Sequence, residues 1–163
     1  MSAGTKAPVT AGVRWLRAHG ASYREHLYAY EPHGGTVASA RALGVDEHEV
    51  IKTLVMEDDQ KAPLIVLMHG DREVSTQALA RRLGRRSIAP CKPEIAPRHS
   101  GYLVGGTSPF GLHQPLPVYA EVSIEALPRL FINGGKRGFL VEMSGAELWR
   151  LLQPTPVSVA VGP

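Results

Sequence analysis

The chain has 163 residues, of which 44% are hydrophobic and 20% charged, a balance typical of a folded globular protein rather than a disordered one. Its formal net charge of +3 permits a polyanionic partner without requiring one. The single cysteine excludes an intramolecular disulfide, and no apolar run approaches the roughly 20 residues of a membrane span. These features predict one cytoplasmic domain over residues 1–163, with no secretory signal and no membrane association.

The first half of the chain alternates short helices with extended segments. Helices are predicted where apolar residues at helical spacing are followed by a glycine, namely Val9–His19, Thr36–Leu43 and a helix that begins at Ser75 or Thr76 and ends at Gly84. Extended segments are predicted at Ser22–Tyr30, Val50–Met56 and Leu64–His69. Since a polar turn separates the last two, they predict a hairpin in the middle of a sheet.

The segment from Cys91 to Pro117 is rich in glycine and proline, so it predicts no regular element of any length. An irregular segment of that length in a compact domain generally has a function. Ser144 then caps a final helix. The strands predicted between these two regions are Val118–Val122, Leu130–Asn133 and Gly138–Met143. Short strands mixed with short helices indicate an α/β or α+β domain.

The patterns of metal, covalent and nucleotide-binding enzymes do not occur in the chain. The seven histidines lack the spacing of a zinc motif, and no histidine is placed to activate Cys91. Ser108 does not lie in a Gly-x-Ser-x-Gly elbow, and no Walker loop or dinucleotide-binding glycine motif is found. The sequence therefore predicts no metal site, no cofactor and no protein nucleophile.

Two glycine-rich motifs and one lysine remain as candidate site features. In Gly101–Gly111 and Asn133–Gly138, glycines let backbone N–H groups approach a ligand and stabilise an oxyanion, although each motif alone is equally typical of a tight turn. Together they predict a shared pocket. Lys52 lies in the apolar strand segment Val50–Leu54, where an ammonium group either reaches water or serves a site; spacing leaves both interpretations open.

Taken in order, these three segments resemble the YbaK family of aminoacyl-tRNA deacylases, which is related to the editing domain of bacterial prolyl-tRNA synthetases. The two glycine motifs are most similar to the cysteinyl-tRNA(Pro) deacylase branch. The resemblance implies a single α+β domain with a mixed, curved, barrel-like sheet surrounded by helices. It also implies a cytoplasmic editing hydrolase that cleaves Cys-tRNA(Pro) without a cofactor. Its expected partner is the acceptor end of a mischarged tRNA, with prolyl-tRNA synthetase as a second candidate.

The resemblance also carries over residue roles. The catalytic residues match Lys52, Gly105 and Tyr28, with Tyr30 as the alternative match for the tyrosine. Lys52 is expected to anchor the terminal adenosine or its phosphate, and the glycine N–H groups to hold the oxyanion. The ester is attacked either by the substrate's own thiol or by water positioned by Thr107 or Ser108. The expected substrate-binding residues are Thr53, Gly106, Thr107, Ser108, Asn133, Gly134, Gly135 and Arg137.

Leu140 departs from the pattern of the cysteinyl branch, in which an acidic residue often follows Gly-Gly-Lys-Arg-Gly by two positions. By strand alternation, Glu142 shares a face with Leu140 and is a partial replacement for that acid. The departure keeps open a deacylase for another mischarged tRNA, such as Ala-tRNA(Pro) or Ser-tRNA(Ala). A non-catalytic module that binds tRNA or a synthetase is the other alternative. Candidate phosphate contacts are Arg81, Arg82, Arg85, Arg86 and Arg137.

Overall fold

The computed structural model describes residues 6–162, which form an α+β arrangement of helices around a mixed sheet. The helices are α1 (Ala11–Ala18), α2 (Gly35–Leu43), α3 (Thr76–Leu83), α4 (Ala96–Ser100) and α5 (Gly145–Leu152). The strands are β1 (Arg24–Leu27), β2 (Val50–Asp58), β3 (Pro63–His69), β4 (Glu73–Val74), β5 (Ile88–Pro90), β6 (Val118–Glu121), β7 (Leu130–Lys136), β8 (Phe139–Met143), β9 (Thr155–Val157) and β10 (Ala160–Val161).

The main sheet has the strand order β1-β8-β7-β2-β3-β6-β9, and β5 also pairs with β2. Antiparallel pairs are β1/β8, β7/β8, β2/β3 and β2/β5, whereas β2/β7, β3/β6 and β6/β9 are parallel. Within the described residues, β1 and β9 end the sheet without pairing to each other, so the barrel-like sheet expected from the resemblance stays open. The β2–β3 hairpin lies in the middle of the sheet, which confirms its prediction.

Apolar side chains fill both faces of this sheet. On one face, α1, α4 and α5 contribute to the largest cluster, into which β2 sends Ile51 and Val55. On the opposite face, α3 packs on one cluster with Met56, and α2 packs on another with Val50. Because side chains alternate along a strand, β2 builds the core on both sides at once.

The helix ends follow the chemistry of the capping residues. The hydroxyl of Thr10 accepts a hydrogen bond from the N–H of Val13, and Ser75 and Ser144 cap α3 and α5 in the same way. Gly44 and Gly84 end α2 and α3 in the left-handed conformation, which glycine adopts without steric cost. The four helices predicted from sequence are confirmed.

The glycine- and proline-rich segment is less irregular than predicted. It contains α4, a helix of five residues, so the expectation of no regular element there is wrong. Pro97 lies in its first turn, where a missing N–H costs no helical hydrogen bond. The two-residue and three-residue strands β4, β5, β9 and β10 were not predicted, because such short runs carry no periodicity. In the described part of the chain, no helix has the length and apolar character needed to cross a bilayer.

Candidate active site

The sheet opens between β2 and β7 where the candidate residues begin. In the described part of the chain, these strands pair only at Val50 with Phe131 and at Ile51 with Ile132. Beyond that point β7 diverges, and β5 takes the place beside β2 only from Met56 onwards. The three residues in between, 52–54, are half-buried although the strand is buried on both sides of them. The candidate site lies at this opening.

Lys52 and Asn133 follow the last paired step and, by alternation, point to the same face of the sheet. The Lys52 side chain is only 19% exposed, and its Nζ donates to Glu73 Oε1 at 3.2 Å. Since the Glu73 side chain is 78% exposed, solvent screens this ion pair, which is worth at most about 1 kcal/mol. The ammonium group of Lys52 is thus available to a more strongly anionic partner.

The two glycine-rich motifs lie in direct contact. Asn133 Nδ2 donates to the carbonyl of Gly105 at 3.2 Å, and Arg137 Nε donates to the carbonyl of Val104 at 3.0 Å. Asn133 Oδ1 accepts from the N–H groups of Gly135 and Lys136 at 2.7 and 3.0 Å, which shapes the second motif. Asn133 therefore joins both loops into one surface, as their sequences predicted.

Gly105 and Gly106 allow this contact because they have no side chain. Gly105 has a φ of +92°, and a Cβ there would lie 2.7 Å from Tyr30 Oη. A Cβ on Gly106 would lie 2.8 Å from the backbone nitrogen of Arg137. Gly105 is an exposed residue, and within residues 6–162 no backbone carbonyl accepts a hydrogen bond from its N–H, so this donor is available to a ligand.

Both tyrosines reach the site, on different sides of it. Tyr28 is half-buried against the apolar cluster of Val50 and Leu140, and burial, followed by the neighbouring Tyr30, raises the pKa of its phenol. Tyr28 is therefore a neutral group near pH 7. Tyr30 instead lies over Gly105, with the Arg137 guanidinium 5.3 Å from its ring centroid. Sequence analysis assigned the catalytic role to Tyr28, whereas the geometry at Gly105 involves Tyr30.

Leu140 closes the apolar side of the site. It is opposite Asn133 in the β7–β8 register and packs with Ala40, Val50 and Phe131 in a buried cluster. The carboxylate of Glu142, the expected partial replacement for the missing acid, lies 2.8 Å from His26 Nε2. The surface next to Asn133, which forms the floor of the site, is thus apolar.

The remaining predicted substrate-binding residues are of two kinds: half-buried residues that border the site, and buried residues that support its loops. Thr53 is half-buried, with its Oγ1 buried and unpartnered, and the half-buried Thr107 donates to the carbonyl of Leu103 at 3.4 Å. Ser108 is fully buried, and its Oγ accepts from the N–H of Phe110, so it supports the loop rather than facing its surface. Gly134 is also buried, packed against the ring of Phe139.

Cys91 lacks the properties of a nucleophile. Burial, followed by the negative charge of Glu57, raises the pKa of its thiol to about 11, so almost no thiolate is present at neutral pH. Its backbone N–H bonds to the carbonyl of Val55, three residues beyond Lys52 along β2. The ester chemistry of this site thus has no support from Cys91.

Cationic side chains border the site on one side. A cavity of about 560 Å³ adjoins the second glycine motif, and its lining includes Lys6, Lys136 and Arg137. Arg85, which follows α3, lies elsewhere: it is paired with Asp58, whose position on β2 is six residues, or roughly 20 Å, from Lys52. Of the predicted phosphate contacts, Arg137 is the one beside the glycine loops.

Comparison with known proteins identifies the protein family of this chain. The family model described as an aminoacyl-tRNA editing domain matches residues 31–151, a range that holds Lys52 and both glycine motifs. The chain belongs to the aminoacyl-tRNA editing domain family. The resemblance inferred from the sequence motifs is thereby confirmed, as is the expected class of enzyme, an aminoacyl-tRNA deacylase.

Individual relatives of this editing domain are of two kinds. It is 26% identical over 136 residues to the "Putative Cys-tRNA(Pro)/Cys-tRNA(Cys) deacylase EbsC" of Enterococcus faecalis, covering 83% of each chain. It is 30% identical over 109 residues to a proline–tRNA ligase of Ligilactobacillus salivarius, covering 66% of this chain but only 19% of the ligase.

Solved structures share the fold of the editing domain. A "putative trans-editing enzyme for prolyl tRNA synthetase" superposes with a TM-score of 0.82 at 22% identity, covering 97% of this chain and all of the other. A hypothetical protein superposes with a TM-score of 0.85, also at 22% identity, covering 93% of this chain and 99% of the other. The predicted α+β fold is therefore confirmed.

Proposed function

We propose that this editing domain hydrolyses Cys-tRNA(Pro), releasing cysteine from a tRNA that should carry proline. The observation that carries the proposal is the joining of Lys52, Asn133 and the Gly105 loop at one opening in the sheet. The similarity to EbsC, whose name specifies Cys-tRNA(Pro) and Cys-tRNA(Cys), supports the choice of amino acid.

The acceptor end of the tRNA would enter along the basic side of the site. Lys136 and Arg137 line the adjoining cavity, where they can bind backbone phosphates of the single-stranded end. Lys52 would leave its solvent-screened ion pair with Glu73 and bind the phosphate of the terminal adenosine instead. Because Lys52 is anchored in a central strand, its ammonium is held within the opening before substrate arrives.

The side chain of the amino acid would lie against Leu140 and its apolar neighbours. A small uncharged side chain suits this floor, whereas a charged one would lose hydration without gaining a partner. Cysteine and proline differ little in size, so the synthetase discriminates poorly between them by binding alone. A second site that rejects proline by chemistry rather than size would correct that error.

In the proposed reaction the substrate supplies its own nucleophile. The cysteine sulfur attacks its ester carbonyl, a C–S bond forms, and the C–O bond to the ribose breaks. The thiol proton passes to the departing ribose oxygen, and water then opens the resulting thiolactone to free cysteine. The exposed Gly105 N–H would stabilise the oxyanion of the intermediate, and the absence of a reactive Cys91 thiolate is consistent with this route.

Hydrolysis of purified Cys-tRNA(Pro) tests the proposal, with Ala-tRNA(Pro) and Pro-tRNA(Pro) as competing substrates. We expect release of cysteine and not proline, and a loss of at least about 100-fold in kcat/KM for Lys52→Ala, as is typical when a key electrostatic contact is removed. Lys61→Ala is the matched control, since Lys61 also pairs with a glutamate at 3.2 Å, at the far end of β2. Equal rates for both variants would refute the role of Lys52.

The thiol route has its own test. Ser-tRNA(Pro) and S-methylcysteinyl-tRNA(Pro) keep the ester but lack a free thiol, so we expect both to bind and remain intact. Hydrolysis of either at the rate of Cys-tRNA(Pro) would indicate attack by water, for which Thr107 is the half-buried hydroxyl at the loop. Release of alanine from Ala-tRNA(Pro) would indicate specificity for a different amino acid, with Leu140 as the residue that distinguishes this chain from the cysteinyl branch.

Prolyl-tRNA synthetase is proposed as a functional partner because it produces the mischarged substrate. Pull-down of the synthetase with the editing domain, in the presence and absence of tRNA(Pro), would show whether the two proteins associate directly. The assignment of residues 1–163 to one domain and the cytoplasmic location stay predictions.

A further inference from the structure

Three side chains that can bind a metal converge at the far end of β2. They are Glu57 on β2, Cys91 just after β5, and His99 on α4. Their potential ligand atoms all lie within 4.8 Å of one another, and Cys91 Sγ is 3.8 Å from Glu57 Oε2. Cys91 is 9% exposed and the Glu57 side chain 17%, so the cluster is largely shielded from water.

The backbone fixes all three residues in place. Glu57 is paired on both sides, with Pro63 of β3 and Ala89 of β5. The N–H of Cys91 donates to the carbonyl of Val55 at 3.0 Å. The ring Nδ1 of His99 lies 3.3 Å from the side-chain amide of Gln114, so the amide holds the imidazole in orientation; with Nε2 on a metal, the amide turns its oxygen to accept from the Nδ1–H.

Thiolate, imidazole and carboxylate are the ligands that zinc takes in proteins. With a Zn–S distance of about 2.3 Å and a Zn–O distance of about 2.0 Å at a tetrahedral angle, the sulfur and the oxygen lie roughly 3.5 Å apart. The separation of 3.8 Å between Cys91 Sγ and Glu57 Oε2 therefore needs little adjustment. Lys61 pairs with Glu57 but is 79% exposed, so it can leave at low cost.

We propose that Glu57, Cys91 and His99 bind one zinc ion, with water as the fourth ligand. The ligand atoms are contributed by three separate elements, which is why histidine and cysteine spacing in the sequence predicted no metal site. Binding releases the thiol proton of Cys91 to solvent, and the cation then neutralises the thiolate and the carboxylate.

The ion would fasten the first part of the segment 91–117 to the sheet. That segment carries the Gly105 loop, and α4 joins it to β2 through His99. Glu57 is five residues from Lys52 along the strand, or roughly 17 Å, so the ion would not touch the ester. Its role is structural, and the hydrolase proposal does not depend on it.

Titration of chelator-treated full-length protein with Co²⁺ and Zn²⁺ tests the site. We expect one ion per chain, a thiolate-to-cobalt charge-transfer absorption, and displacement of Co²⁺ by Zn²⁺. Cys91→Ser should abolish that absorption, and Glu57→Gln and His99→Gln should each weaken Co²⁺ binding at least about 10-fold, the smallest loss typical of disturbing a metal site. His33→Asn is the control, because His33 is exposed and lies in a turn outside the cluster.

Thermal unfolding with and without Zn²⁺ gives a second readout. Zinc should raise the melting temperature of the wild-type protein and of His33→Asn equally, and leave the three ligand variants unchanged. If Cys91→Ser does not fold, His99→Gln, whose side chain is only half-buried, still decides the matter. Unchanged Co²⁺ binding in the ligand variants, or no charge-transfer absorption in the wild type, would overturn the proposal.

Discussion

Replacing Thr53 by valine tests the site through stability and activity together. Among residues 6–162, Thr53 Oγ1 is the one buried side-chain oxygen or nitrogen without a hydrogen-bond partner. A buried hydroxyl in that state costs about 1–3 kcal/mol. Valine has nearly the same shape and is favoured in strands. Thr53→Val is therefore expected to raise the free energy of unfolding by about 1–2 kcal/mol, or about 3 °C in melting temperature per kcal/mol for a protein of this size.

The same change should lower activity if the hydroxyl is kept for the substrate. Loss of one hydrogen bond to a neutral group is worth about 0.5–1.5 kcal/mol, which corresponds to a decrease of roughly 2- to 13-fold in kcat/KM. Urea denaturation followed by fluorescence, and deacylation of Cys-tRNA(Pro), measure the two effects on the same samples. A more stable and less active variant is the expected result.

Thr36→Val is the matched control for this experiment. The hydroxyl of Thr36 lies 2.7 Å from Glu47 Oε2 and 3.2 Å from the carbonyl of Gly70, so its removal breaks a bond that exists. We expect this variant to be less stable by about 1–3 kcal/mol. If Thr53→Val is destabilised to the same extent, the Thr53 hydroxyl is bonded in solution and the reasoning above is refuted.

Three further predictions concern other parts of the molecule. Gly134→Ala should lower the free energy of unfolding by about 1–3 kcal/mol in urea denaturation, because the added Cβ would overlap a ring carbon of buried Phe139; an unchanged midpoint would contradict the packing. Burial lowers the pKa of the His69 imidazole below 6.5. The stability that the neutral imidazole contributes is therefore present above about pH 6.5 and lost as the pH falls through the pKa of His69 in the folded protein. His69→Gln should flatten that part of the profile of unfolding free energy against pH. Tyr30→Leu should raise KM for charged tRNA more than Tyr28→Phe, since Tyr30 and Arg137 border Gly105; the reverse order would return the role to Tyr28.

The sequence predicted elements well where local chemistry decides them. The helix ends at Gly44 and Gly84 and the cap at Ser144 depend on a few neighbouring residues, and all three are found. The central hairpin was predicted for the same reason, because β-branched runs flank a polar turn. The short edge strands β9 and β10 depend on partners far along the chain, and nothing within their own sequences indicates them.

The candidate site shows the same limit. Glycine content placed both loops in the site, but only the structure shows that Asn133 joins them through Gly105. The sequence favoured Tyr28, because His26-Leu27-Tyr28 matches the His-x-Tyr of the family, and kept Tyr30 as the alternative. The contact of Tyr30 with Gly105 depends on the turn that follows β1, which the sequence does not specify. Ser108 looked available in sequence because its burial is decided by α1 and Tyr102, which pack around it.

The divergence of β2 from β7 accounts for several properties of the site at once. If β7 continued beside β2, Lys52 would be a charge enclosed in a central strand and would cost several kcal/mol. Because the strands separate after Ile51, the ammonium reaches Glu73 and solvent at small cost and keeps its charge for a substrate. The opening also leaves room for the Gly105 loop, whose backbone approaches Asn133 closely enough to bond with it. A hydrolase that acts on an activated ester needs positioned donors more than a strong nucleophile, and this opening provides two: the Lys52 ammonium, whose pair with Glu73 is screened by solvent, and the Gly105 N–H.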